Sequence, residues 1–176
     1  MAVILQMTYQ KKLGLPNYSS HSCSVSLTVE IPDDFNPVPS QVAALTATQI
    51  GGLVTTTLNN LTTAQVTALS TTQTRGLTTT QLNGLSTANL NAVDVNELTI
   101  TQVGGLNTTA ISNLSTTQAS SLAATQIGRL SGTQISSLSA AALQALSTTQ
   151  TLLLTATQVG HLSTTALNNL TTAQAT

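Results

Sequence analysis

From Leu45 onward, apolar residues return along the chain at a spacing of eight. Leu45, Leu53, Leu61, Leu69, Leu77, Leu85 and Val93 form one row; after a local slip, Leu98, Leu106, Leu114, Leu122, Leu130, Leu138, Leu146, Leu154, Leu162 and Leu170 resume it. With this row as position 1, the unit reads Leu-[Ser/Thr]-[Thr/Ala]-[Thr/Ala]-Gln-[Ile/Val/Leu]-x-x, as in Leu61-Thr62-Thr63-Ala64-Gln65-Val66-Thr67-Ala68. A period this regular identifies residues 37–176 as a tandem array, because each unit is too small to bury its own apolar side chains.

The polar positions indicate what each unit does. Ser or Thr at position 2 and Gln at position 5 have the spacing at which an N-cap hydroxyl and an N3 side chain satisfy each other's backbone N–H groups, so every octad carries a helix start. Position 1 then falls at N′ and position 6 at N4, which pairs Leu61 with Val66 and Leu130 with Ile135 as hydrophobic staples. Position 6 and the next position 1 are three apart and share a helical face. Positions 7 and 8 hold Gly51-Gly52, Asn59-Asn60, Asn83-Gly84, Gly104-Gly105 and Asn168-Asn169, residues expected to stop the helix. In the opening unit, Pro37 to Ala44, Pro39 falls at N1, where proline is favoured.

The expected fold is therefore mainly α, a solenoid of short capped helices of about one and a half turns. One continuous helix is disfavoured, because eight residues advance the angle by about 80° beyond two turns and the Leu row would wander around the surface. A β-solenoid is the alternative, since Thr and Val favour strands. Against it, positions 1 and 6 would point to opposite faces of a straight strand.

Residues 1–36 follow a different pattern and form a separate module. In Ser22 to Ile31, the residues Cys23, Val25, Leu27, Val29 and Ile31 alternate with polar ones, the signature of a half-buried strand. A second apolar stretch, Val3 to Tyr9, pairs with it as a β-hairpin across Lys11 to His21, where Gly14, Pro16 and Asn17 supply turn chemistry. A proline-containing linker, Pro32 to Pro39, ends the strand. The start has neither a positive segment nor a cleavage site of the secretory kind, so no signal peptide is expected.

Composition narrows the function. Only 5% of residues are charged and the net charge is −1, so no basic stripe exists to neutralise phosphates, and nucleic-acid binding is not expected. No apolar run approaches the roughly 20 residues of a membrane-spanning helix. The single cysteine, Cys23, has no partner for an intramolecular disulfide.

Candidate chemistry is sparse. His21 and Cys23 form the only His-x-Cys pair, with no further residue to complete a metal set or a nucleophile, and Cys23 reads as the apolar face of a strand. Asp94 and Glu97 mark the slip Val93-Asp94-Val95-Asn96-Glu97-Leu98, where Leu98 is read as position 6 of one unit and position 1 of the next. Asp-x-x-Glu there reads as a charged capping box, not as calcium ligands. Arg75, Arg129 and His161, at positions 7 and 8, read as isolated solvent-facing variants. The sequons at Asn17, Asn60, Asn107, Asn113 and Asn169 are mostly by-products of the repeat. No catalytic, cofactor or metal residues are assigned.

Thr pairs recur at Thr62-Thr63, Thr71-Thr72, Thr108-Thr109, Thr116-Thr117, Thr148-Thr149 and Thr164-Thr165. They are expected to be N-cap and N1 residues; the alternative is a hydroxyl ladder for ice or polysaccharide. The Leu-Thr-x-x-Gln-Val start is similar to the opening of DNA-binding repeats in plant-pathogen effectors, although the unit length and the missing basic residues depart from them. As a whole, residues 37–176 resemble the Leu/Thr/Gln short-repeat segments of large bacterial surface and adhesin-like proteins. That resemblance implies a stalk or adhesive spacer at the cell surface, with no catalytic residues. The expected function is thus a non-enzymatic structural or self-associating repeat, whose last octads fray, pack on another copy or continue into more repeats. On this reading, Leu162→Asp and Leu170→Asp affect association, whereas Leu106→Asp unfolds the array.

Overall fold

The computed structural model describes residues 3–12, 22–31, 39–168 and 170. The contacts divide the chain into two units, Met1–Asn36 and Pro37–Thr176. In the first, β1 (Val3–Lys12) pairs antiparallel with β2 (Ser22–Ile31), in a register that sets Val3 opposite Ile31, Met7 opposite Leu27 and Lys12 opposite Ser22. β1 runs three residues past the apolar stretch that announces it, because the pairing continues through Gln10, Lys11 and Lys12. The expected turn at Gly14, Pro16 and Asn17 and the linker from Pro32 lie outside the described residues.

Among its described residues the second unit has helices and no strand, so the β-solenoid alternative does not hold. Its helices are α1 (Pro39–Ala44), α2 (Ala47–Gly52), α3 (Thr55–Asn59), α4 (Thr63–Thr67), α5 (Thr71–Gly76), α6 (Thr79–Gly84) and α7 (Thr87–Ala92). A 3-10 turn, Val95–Glu97, follows, then α8 (Ile100–Gly104), α9 (Thr108–Ser112), α10 (Thr116–Ser121), α11 (Ala124–Ile127) and α12 (Gly132–Ser136). The last are α13 (Ala140–Gln144), α14 (Thr148–Leu152), α15 (Ala156–Gly160) and α16 (Thr164–Asn168). From α2 onward each octad supplies one helix.

Each helix starts where the capping pattern places it. In α4, Thr62 Oγ1 accepts the Gln65 N–H, while Gln65 Oε1 accepts the Thr62 N–H at 2.7 Å. The same reciprocal pair begins α2, α5, α6, α8, α10, α12, α14 and α15. At α11 the N-cap is Ala123, which has no hydroxyl, so only the reverse half survives: Ala123 N–H donates to Gln126 Oε1 at 2.7 Å.

Helices end at positions 7 and 8 as expected, at Gly52, Asn59, Gly84 and Gly104, but by a different cap. The C-cap residue is Leu53, Leu77 or Leu85 in extended conformation, or a residue such as Ala68 or Ser137 in right-handed helical conformation. No described glycine takes a positive φ. The helices end at positions 7 and 8 without left-handed caps; at Gly51, Gly76, Gly84 and Gly105 the bare position lets another helix approach, whereas Gly52 and Gly160 face open space. A Cβ on Gly76 would stand 2.4 Å from the Ala47 carbonyl oxygen, so α5 can lie on α2 only if position 8 is bare.

Packing repeats with the sequence. α2 packs on α5, α4 on α7, α10 on α13 and α12 on α15, each on the third unit along, and the 3-10 turn fills a place of its own between α5 and α10. Positions 1 and 6 fill one continuous apolar core: Ile50, Val103, Ile111, Ile127 and Ile135 are fully buried, as is nearly all of Leu61, Leu106 and Leu130. Burying a side chain of this size contributes roughly 1.5–3 kcal/mol, which offsets the instability of helices this short.

Candidate functional site

The residue that organises the array is the glutamine at position 5. Sequence reasoning assigns it to capping alone, yet Gln81 is 4% exposed and its two ends do separate things. Oε1 accepts the Thr78 N–H at 2.7 Å, and Nε2 donates to the carbonyls of Ile50 at 2.8 Å and Leu53 at 2.7 Å, residues 31 and 28 earlier. Those acceptors are a position 6 and the following position 1. Gln126, Gln150 and Gln158 repeat the bond pair at the same separations. The position 6 carbonyl also accepts the N–H of the next position 1, as Ile50 does from Leu53 at 3.1 Å, so the amide is its second donor; the position 1 carbonyl, beyond the helix end, takes the amide as its donor.

At two octads whose position 5 is not glutamine, an asparagine at position 7 of an earlier unit substitutes for part of its role. Asn89 is too short to reach back to its own N-cap, and Asn59 Oδ1 accepts the Ser86 N–H instead, at 2.7 Å. Ala110 has no side-chain acceptor, and Asn83 Oδ1 accepts the Asn107 N–H at 2.7 Å. Asn59 and Asn83 also donate to the Gly84 and Gly105 carbonyls. Arg75, at the same position, donates from Nε to the Glu97 carbonyl at 3.1 Å. It therefore belongs to this second row of cross-links and is not the isolated solubilising residue it was read as.

The slip is resolved differently from the sequence reading. Val95, not Leu98, takes position 6: it is 2% exposed, and its carbonyl accepts Gln126 Nε2 at 2.8 Å as other position 6 carbonyls do. Asp94 is still an N-cap, but its side chain accepts from Asn96 N–H at 3.0 Å, and the Asp94–Glu97 capping box does not form. With three residues missing only a 3-10 turn remains, and the Glu97 carboxylate turns outward to accept from Thr71 Oγ1 at 2.6 Å. Among the described residues, no group of three His, Cys, Asp or Glu side chains comes together.

His161 is exposed, but its ring lies over Gly132, where a Cβ would meet Nδ1 at 2.3 Å, and Nδ1 is 2.8 Å from the Thr157 carbonyl oxygen. Gly132 is the glycine at a position 3 that makes room for this ring. Where position 8 is Gly76, the matching position 3 is the larger Ala47. Arg129 borders an open hollow of about 510 Å³ with Ile100, Thr101, Gly104 and Gly105. His21 lies outside the described residues; Cys23 lies in β2 opposite Lys11.

Two surfaces remain unengaged. Thr72, Thr109, Thr117 and Thr149, at position 4, are exposed and stand at N2 of their helices, outside the capping pairs. Of the recurrent Thr pairs, only Thr62-Thr63 is an N-cap with N1; the others are N1 with N2. The second surface is apolar: Leu152 is 66% exposed, Leu153 47%, Val159 38% and Leu167 40%. No described helix is long and apolar enough to cross a membrane. Compared with protein-family models, curated proteins and solved structures, the chain matches none.

Proposed function

We propose that this chain is a non-enzymatic structural repeat that winds as a solenoid and self-associates, acting as a spacer, stalk or adhesive segment of the kind its resemblance to surface-protein repeats implies. The observation that carries this reading is the use made of the buried polar groups. Gln73, Gln81, Gln102, Gln118, Gln126 and Gln150, each 2–6% exposed, spend their amides on backbone carbonyls of other octads. Such side chains stiffen a scaffold, and among the described residues the buried polar groups are amides and hydroxyls, not titratable groups suited to acid or base work. Recurrence of the same bonds supports a superhelical path. A chain in which only 5% of residues are charged carries little repulsion to hold copies apart.

Light scattering tests this directly: the weight-average mass should rise with concentration at low salt, and a constant monomer mass up to about 0.5 mM would overturn it. A second reading rests on the exposed position 4 hydroxyls, which the caps leave free and which fit an ice or polysaccharide surface. Thermal hysteresis at millimolar protein supports the ice version; its absence removes it.

A further inference from the structure

Because octads pack on the third unit along, the position 4 residues sort into three rows, one on each stack of helices. One stack runs through α3, α6, α8, α11 and α14: α3 packs on α6, α8 on α11 and α11 on α14, and Asn83 of α6 donates to the Gly105 carbonyl just after α8 at 3.0 Å. Its position 4 residues are Thr56, Thr80, Thr101, Thr125 and Thr149, all exposed. The other rows are interrupted, by Ala64 and Ala88 on α4 and α7 and by Ala141 on α13. Packed helix axes lie roughly 8–10 Å apart, so the five hydroxyls extend over roughly 30–40 Å.

The open hollow of about 510 Å³ bordered by Ile100, Thr101, Gly104, Gly105 and Arg129 lies on this same stack, at its middle rung. Its origin is one change in the row of asparagine cross-links. Asn59 and Asn83, at position 7 of α3 and α6, span to the carbonyls of Gly84 and Gly105, at position 8 of the next rung. The corresponding residue of α8 is Gly104, from which a Cβ would stand 3.7 Å from the Arg129 carbonyl oxygen. The space that asparagine fills on the two preceding rungs is therefore open here. Arg129 is exposed and is the one charged residue in the five octads of this stack, and Ile100 is 42% exposed.

We infer that this stack binds an acidic polysaccharide. The strand lies along the row from Thr56 to Thr149, and one uronic acid unit enters the hollow with its carboxylate on Arg129 and its ring against Ile100 and the bare Gly104. The inference rests on the polysaccharide reading of the position 4 hydroxyls and specifies the class of glycan. A concave place with an apolar wall and a few polar groups suits a sugar ring, and a guanidinium pairs with a carboxylate by two parallel bonds. Neutral glycans and ice offer that guanidinium no charge. A polymer suits the row, because hydroxyl contacts that are weak singly add up when the groups are tethered.

The test is calorimetric and NMR titration of the full chain with oligogalacturonates of increasing length, against cello-oligosaccharides as neutral counterparts, with circular dichroism as the folding control. Affinity for oligogalacturonate should rise with length and fall with salt, and exceed that for the neutral counterpart about tenfold or more. Arg129→Gln should weaken oligogalacturonate binding about tenfold and leave the neutral glycan unchanged. Gly104→Asn fills the hollow with the side chain that α6 already carries, and should weaken binding by a similar factor with the helical spectrum retained. Thr80→Val with Thr125→Val should weaken long oligomers but not a single galacturonate. No binding of oligogalacturonate, or binding that Arg129→Gln leaves unchanged, overturns the acidic site; if the neutral glycan then still binds, the polysaccharide reading stands without it. Thermal hysteresis with no glycan bound overturns both and leaves the ice version. If Gly104→Asn unfolds the chain, Arg129→Gln alone decides.

Discussion

Gln81→Glu separates the two tasks assigned to the position 5 side chain. The substitution preserves shape and keeps an oxygen in place of Oε1, so the Thr78 N–H retains its partner and the capping half survives, Glu being as good a capping-box residue as Gln. What changes is the other end, where two donations at 2.8 and 2.7 Å become contacts between a carboxylate oxygen and the carbonyls of Ile50 and Leu53. Losing two hydrogen bonds costs roughly 1 kcal/mol each. An uncompensated charge at a site 4% exposed raises the total to about 4 kcal/mol at pH 7. The introduced carboxyl relieves part of this by holding a proton, so its folded pKa lies above the unfolded value of about 4.3. Between those values the native state binds more protons than the unfolded one, and stability falls as pH rises. Below about pH 4 a neutral carboxyl donates one bond, and the loss should shrink to about 1–2 kcal/mol. Urea titrations followed by circular dichroism at pH 4 and pH 7 measure both quantities, with the half-buried Gln49→Glu as control. A loss under about 1 kcal/mol at pH 7, equal losses at both sites, or a loss that does not grow with pH would refute the double role.

Other substitutions test other links. Gly132→Thr, the usual residue at position 3, should destabilise by about 1–3 kcal/mol by colliding with His161, and His161→Gly in the same chain should restore most of it, a coupling read from a thermal double-mutant cycle. Ala123→Ser returns the missing cap hydroxyl and should stabilise by about 0.5–2 kcal/mol in urea titration. Asn59→Ala leaves the Ser86 N–H and the Gly84 carbonyl unpaired and should cost about 1–3 kcal/mol, with faster amide exchange at Ser86.

Much of the fold is legible in the sequence, because each octad carries its own instruction. The Ser/Thr-x-x-Gln spacing locates most helix starts from Thr46 to Thr155, since a cap closes within one unit, and the Leu row with position 6 locates the core, since its period marks the face that each unit must bury against others. What is not legible lies between units. Nothing in a single octad says that Gln81 donates to Ile50 and Leu53, because the periodicity repeats identically whatever number of octads makes a turn. The second role of a bare position 8 is hidden for the same reason: Gly76 ends its helix where expected, but also makes room for Ala47, 29 residues away. A signal existed in the pairing of Gly132 with His161, the rare small residue matched to the rare large one. The slip misleads because Glu97 has capping-box spacing from Asp94, while the loss of three residues leaves too short a helix to use it.

The most direct measurement is of the glutamine side-chain amides by NMR in selectively labelled protein. The account predicts nuclear Overhauser contacts from Gln81 Nε2 protons to Ile50 and Leu53 protons, 31 and 28 residues away, and exchange of those protons slowed well below that of a free glutamine. Contacts confined to the glutamine's own octad, with exchange at the free rate, would contradict it.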